Sequence, residues 1–165
     1  VEGLRSYSRN QGSRARLDLA MVVEAALRVA GPRLRHVARV ETVSLSCPPV
    51  SGDEPKLVQA LVNLLVNAAQ AMAGSRGRRD VAITVRGEPG AVRVTVSDAG
   101  PGVPPEQRAR IFEPFHSTKP GGMGMGLAIC RSCIDAHGGD LWLDEAPGGG
   151  AAFHVRLPTA CRAAA

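Results

Sequence analysis

Residues 59 to 72, Gln-Ala-Leu-Val-Asn-Leu-Leu-Val-Asn-Ala-Ala-Gln-Ala-Met, form the most apolar helical pattern in the chain, yet Asn63 and Asn67 interrupt it at a spacing of four. At about 100° per residue, Leu57, Leu61, Leu64, Leu65, Ala68 and Met72 share one face, and Gln59, Asn63 and Asn67 share a stripe roughly opposite. A solvated helix face normally carries Lys, Glu and Arg. Uncharged amides flanked by Val58, Val62 and Val66 point instead to an enclosed polar pocket, where amide oxygens make good ligands for a hard cation. The alternative is that the asparagines hydrogen-bond a neighbouring loop and do nothing else.

A helix with so broad an apolar face needs a core to cover. At 165 residues and 44% apolar content, the chain can supply one for a single compact domain. No apolar stretch approaches the roughly 20 residues that span a bilayer, and no segment reads as a signal peptide, so a soluble, cytoplasmic domain without membrane contact is expected. Cys47, Cys130, Cys133 and Cys161 are not set at paired zinc-ligand spacings and read as reduced thiols. The net charge of +5 comes mostly from scattered Arg, and only 3% of residues are aromatic. Single-strand readers interleave stacking rings with basic groups, so the charge suits nucleotide phosphates or an acidic partner better than nucleic acid.

Along the chain, residues 1 to 16 are polar and Arg/Ser-rich and read as a connecting segment. Asp18 can cap a helix that runs to about Ala30 and stops at Gly31-Pro32. Residues 37 to 45 are β-rich, and Asp53 with Pro55 starts the asparagine helix, which ends at Gly74. A basic turn over 77 to 80 precedes two period-two segments, 81 to 86 and 91 to 97, which flank Glu88-Pro89-Gly90 as an antiparallel hairpin. Residues 99 to 126 are dense in Gly and Pro, with a short helical stretch near 106 to 111, and read as a long mobile loop. A helix over 127 to 137 and a final hairpin, 141 to 143 with 151 to 157, complete the chain. This order predicts an α+β fold, a two-layer α/β sandwich with helices on one face of a mixed, largely antiparallel sheet.

Two glycine clusters remain. Asp98-Ala-Gly100-Pro-Gly102 follows a strand, and Gly121-Gly-Met-Gly124-Met-Gly126 precedes a helix. Glycines before a helix N-terminus leave N–H groups and the positive dipole end facing outward, an arrangement that favours phosphate. The run is neither a P-loop nor a Rossmann loop. A flexible linker is the alternative, but a linker is not normally followed by an apolar helix such as Leu127, Ala128, Ile129, Ile134. Asp98 can be a turn former, or can accept a hydrogen bond from an exocyclic amine such as that of adenine.

Taken in order, these segments resemble the ATP-binding catalytic domain of sensor histidine kinases, within the gyrase, chaperone, kinase and mismatch-repair ATPase superfamily, over residues 17 to 158. Residues 63 to 72 resemble the N box, 98 to 102 the G1 box, 111 to 119 the F box and 122 to 126 the G2 box, and 148 to 153 resemble the last glycine motif. The phrases Asn-Ala-Ala-Gln-Ala-Met and Phe-Glu-Pro-Phe-His-Ser-Thr-Lys are most similar to the nitrogen-regulation type of sensor kinase.

The resemblance implies a Bergerat-type fold that binds ATP with Mg²⁺. It implies that Asn67 ligates the metal through its side-chain oxygen, that Asn63 and Gln70 meet phosphate or its water, and that Asp98 accepts from the adenine amine. Gly100 and Gly102 then let base and lid pass, and Gly122, Gly124 and Gly126 cradle the phosphates, with Met123, Met125 and Leu127 in the same turn. Phe112, Thr118 and Lys119 belong to the lid, where Lys119 either reaches a phosphate or is a solvated loop lysine, and Phe112 and Phe115 should pack when the loop closes. Met123 and Met125 stand where relatives more often have Thr, Ser or Leu, and Gln70 where many carry Lys or Arg.

The phosphoacceptor His is absent, because His36, His116, His137 and His154 lack its sequence context. The resemblance therefore places no catalytic residue here, and reads 1 to 16 as a remnant of a dimerisation helix and linker and 159 to 165 as a tail. Implied partners are the protein's own dimerisation helices and a downstream response-regulator receiver domain, with a monomeric fragment and a homodimeric parent whose membrane attachment the resemblance leaves open. Two other readings stay open, an ATP-hydrolysing switch and a non-catalytic nucleotide-sensing module. The switch needs a Glu four residues before the metal-binding Asn, where this chain has Asn63.

Overall fold

The computed structural model describes residues 14–73, 77, 79–116 and 124–160. A mixed five-stranded sheet forms its base, in the order β2-β4-β5-β7-β6. Strand β2 (Arg39–Ser44) pairs parallel with β4 (Asp80–Glu88). All other pairs in this sheet are antiparallel: β4 with β5 (Ala91–Asp98), β5 with β7 (Ala151–Pro158), and β7 with β6 (Asp140–Glu145). A separate short ribbon joins β1 (Ala15–Leu17) to β3 (Val50–Gly52). Helices α1 (Leu19–Leu34), α2 (Glu54–Ala73) and α3 (Gly126–Ala136) supply the second layer.

Period-two alternation sets which side of the sheet is covered. Val81, Ile83 and Val85 on β4, Val92, Val94 and Val96 on β5, and Phe153, Val155 and Leu157 on β7 are all buried, and the register puts Ile83 beside Val96 and Val96 beside Phe153. Leu57, Leu61, Leu64, Leu65, Ala68 and Met72 of α2 press onto this face as their common stripe requires, and all are buried. Cys130 is fully buried on α3, and burial, with Cys133 adding to it, pushes its thiol up to about 12.

Local signals explain where the helices start. Asp18 Oδ1 accepts a hydrogen bond from the Ala20 N–H at 2.9 Å, and Asp53 Oδ1 accepts from the Lys56 N–H at 3.3 Å. The predicted stop of α1 at Gly31-Pro32 is not where the helix ends. It continues to Leu34, with the Arg35 N–H bonded to the Gly31 carbonyl at 3.0 Å. Ala30 and Leu34 lie one turn apart and are both buried, so packing outweighs the single bond that Pro32 removes.

The expected helical stretch near 106 to 111 is a 3₁₀ turn at Pro105–Gln107 followed by turns. The ends of the folded unit also reach beyond residues 17 and 158. Strand β1 takes in Ala15 and Arg16, Thr159 bridges to Val50, and the Ala160 N–H donates to the Pro49 carbonyl at 2.8 Å. No helix among the described residues is long and apolar enough to cross a membrane.

Candidate nucleotide site

Asp98 ends β5 and is 4% exposed, so its carboxylate must be satisfied from within. Oδ1 accepts from the Gly100 N–H at 2.9 Å and from the Ala151 N–H at 3.4 Å, which orients the carboxylate by one donor from the following loop and one from the start of β7.

The glycines around it are required by contact. A Cβ on Gly100 would lie 2.8 Å from Asp98 Oδ1 and 3.0 Å from Ala71 Cβ and Met72 Cε, so this glycine lets the loop lie against the last turn of α2. At Gly150 the backbone has φ +94° and a Cβ would lie 1.9 Å from the Asp98 carbonyl oxygen. The sequence reading gave the last glycine motif no site residue, although Gly150 forms the third wall around Asp98. Three successive glycines before an apolar strand were the available signal. Gly102 adopts φ +73° and packs toward the Gly150 carbonyl.

On the other side of α2, Asn63 joins two helices. Its Oδ1 accepts from Gln59 Nε2 at 3.0 Å, and its Nδ2 donates to the Gly126 carbonyl at 3.1 Å, at the first residue of α3. The neighbouring-loop alternative for these amides thus describes part of what Asn63 does. Asn67 follows one turn later and is half-buried, and Gln70 is exposed.

Gly124 has φ +64°, its carbonyl accepts from the Phe115 N–H at 3.0 Å, and a Cβ there would lie 2.6 Å from the Phe115 carbonyl carbon. This brings Phe115 and Gly124 into direct contact. Met125 occupies the N-cap position of α3 and offers no side-chain cap, and Leu127 is half-buried against the core. Thr118, Lys119, Gly122 and Met123 lie outside the described residues.

Phe112 turns toward the sheet. Its ring meets Phe153 edge-on at 6.3 Å and lies 4.8 Å below the Arg131 guanidinium, so it secures the segment around Phe112 to β7 and α3. Phe115 does not share this packing, being 80% exposed at φ 63°. No group of three or more His, Cys, Asp or Glu that could hold a metal occurs among the described residues. A single amide oxygen such as that of Asn67 suits a hard cation that brings most of its oxygen ligands with it, as Mg²⁺ does on nucleotide phosphates.

Helices on one face of a mixed sheet, with a buried Asp at one strand end and a glycine-led helix beside it, make this a Bergerat-type ATP-binding fold. Residues 52–160 match the histidine kinase-, DNA gyrase B- and HSP90-like ATPases, and the chain belongs to that family. It is 42% identical over 148 residues to the C4-dicarboxylate transport sensor protein DctS of Rhodobacter capsulatus, covering 87% of this chain and 22% of that protein. The mycobacterial sensor histidine kinase MprB superposes with a TM-score of 0.73 at 32% identity, covering 88% of this chain and 97% of that one. Full-length ShkA in complex with AMPPNP superposes with a TM-score of 0.75 at 33% identity, over 92% of this chain and 32% of that one. The chain spans between 17% and 32% of the length of three such curated sensor proteins.

Proposed function

We propose that this domain binds Mg-ATP and presents its γ-phosphate to a phosphoacceptor histidine on dimerisation helices of the full-length protein, which then serves a response-regulator receiver domain. The observation that carries this reading is the buried Asp98 carboxylate, fixed by the Gly100 and Ala151 N–H groups at the end of α2 whose amide stripe also meets the start of α3.

In this reading Asp98 accepts from the adenine amine, while Gly100 and Gly102 give the base room. Asn67 holds Mg²⁺, with Asn63 and Gln70 toward the phosphates, and the N–H groups of the turn from Gly122 to Leu127 cradle them. Thr118 and Lys119 approach from the lid. When bound, Mg²⁺ neutralises phosphate charge, and the rest of the rate enhancement comes from positioning. An ATP-hydrolysing switch fits less well, because Asn63, at the position of the water-activating carboxylate, is an amide that cannot take a proton at neutral pH and is engaged by Gln59 and Gly126.

The test is calorimetric titration with ADP and AMPPNP, each with and without Mg²⁺, and with GDP as control. Adenine-selective, Mg²⁺-enhanced binding is expected. A folded chain that binds GDP equally well, or binds no nucleotide, sinks the reading.

A further inference from the structure

His137 is one of two buried polar or charged residues among those described, the other being Asp98, and it lies at the opposite end of α3 from the glycine motif. Its ring is bonded on both sides. Nδ1 is 2.7 Å from the Cys133 carbonyl, which can only accept, so Nδ1 carries the proton and donates. Nε2 is then an acceptor, and the Asp53 N–H donates to it at 3.0 Å. Asp53 immediately precedes α2, so the bond ties the C-terminus of α3 to the N-terminus of α2.

Neighbouring contacts tie the same two ends together. The Cys133 thiol donates to the Lys56 carbonyl at 3.4 Å, and a Cβ on Gly52 would lie 3.1 Å from the imidazole Cδ2, so the ring fills the space over β3. Arg14, just ahead of β1, donates to the Ala136 carbonyl. At the far end, Asn63 Nδ2 holds the Gly126 carbonyl. Asn63 lies ten positions after Asp53 and His137 eleven positions after Gly126, so two antiparallel helices are pinned over matched lengths of roughly 15 Å.

We propose that His137 is a positioning residue for nucleotide binding: by accepting the Asp53 N–H it sets the axial position of α3, and so where the Gly124–Gly126 turn meets the phosphates. The proposal rests on the nucleotide reading above. It predicts an effect on the phosphate half of the ligand, about a helix length from the substituted ring, with the Asp98 half left alone.

His137→Gln keeps an acceptor near the Nε2 position, and His137→Asn keeps only a donor near Nδ1. Affinities for Mg-AMPPNP and for adenosine are measured on wild type and both variants, well below each unfolding midpoint. H137N is expected to lose about tenfold in Mg-AMPPNP affinity, a 1.4 kcal/mol change, with adenosine affinity unchanged, and H137Q to stay within about threefold of wild type. Should H137N not fold, His137→Met, which fills the space without an acceptor, takes its place.

Equal Mg-AMPPNP affinity in H137N and wild type overturns the proposal alone. So does parallel loss of adenosine and Mg-AMPPNP, which marks a general structural role, and so does a loss in H137Q as large as in H137N. A wild-type chain that binds neither ligand overturns the nucleotide reading and this proposal with it.

Discussion

At Asp98, two backbone N–H groups, those of Gly100 and Ala151, reach the same carboxylate oxygen. Asp98→Asn can keep the Gly100 and Ala151 bonds through its amide oxygen while turning an NH₂ toward the adenine amine, setting donor against donor. The fold should survive and adenine-nucleotide affinity should fall by about 10- to 100-fold, the effect of one unsatisfied polar contact. Calorimetry with circular dichroism checks both halves of that statement. Gly150→Ala acts on the other side of the same residue. Its Cβ would lie 1.9 Å from the Asp98 carbonyl oxygen at φ +94°, so the loss of stability should exceed the roughly 1–3 kcal/mol of backbone strain alone. A urea midpoint equal to that of wild type would contradict this account of the loop.

At the scale of elements, the open face of the sheet carries a network that no single strand reveals. His154 Nδ1 on β7 and Thr95 Oγ1 on β5 share a hydrogen bond at 2.9 Å, the imidazole Nε2 lies 3.3 Å from Asp144 Oδ2 on β6, and the ring stacks on Trp142 at 5.0 Å. Trp142 Nε1 donates to the same Asp144 oxygen at 3.0 Å, and the Arg93 guanidinium lies 5.1 Å over the indole. Burial lowers the imidazole pKa below 6.5, with Arg93 and Arg86 acting in the same direction and Asp144 and Glu88 opposing. The unfolded chain therefore binds the proton first, so this group's contribution to stability is complete above about pH 6.5 and is lost as pH falls below it toward the folded value. The thermal midpoint should drop between pH 7.5 and 5.5, and His154→Gln should flatten that dependence. An unchanged slope in the variant would assign the effect elsewhere.

Elements held by their own periodicity were legible in the sequence. The α2 stripe and the β4–β5 hairpin are examples, since alternation of 3.6 or 2 residues directly encodes a buried face. The end of α1 was not, because Leu34 needs a partner layer before its burial can outweigh Pro32. Nor were β1 and β3, three-residue strands that acquire meaning only by pairing at long range, as Leu17 does with Val50, 33 positions away. At the site, the glycine clusters that contain Gly100 and Gly124 stand out as local sequence patterns, whereas what those glycines touch, Ala71 and Met72 for one and Phe115 for the other, depends on tertiary contact, as do the bond from Asn63 to Gly126 and the turning of Phe112 onto Phe153.

For the molecule as a whole, the two sides of the site belong to different layers. Asp98, Gly100 and Gly150 belong to the sheet and its loops, while Asn63, Asn67 and Gly126 belong to α2 and α3. A ligand that contacts both layers must stabilise the entire fold by mass action, since neither half of its site persists in the unfolded chain. At a free concentration of 100 times the dissociation constant, Mg-AMPPNP should add about 2.7 kcal/mol. For a domain of this size that shifts the unfolding midpoint upward by roughly 5–10 °C. Asn67→Ala separates the metal's share from the rest, because it leaves Asp98 and its glycines untouched. The variant should show a smaller shift with Mg-AMPPNP and none of the increment that Mg²⁺ gives the wild type, each shift taken from the variant's own ligand-free midpoint. A full Mg²⁺ increment in Asn67→Ala would remove Asn67 from the metal site, whereas loss of all nucleotide-dependent shift would make the metal-bound phosphates, and not the base, the dominant bond between the layers.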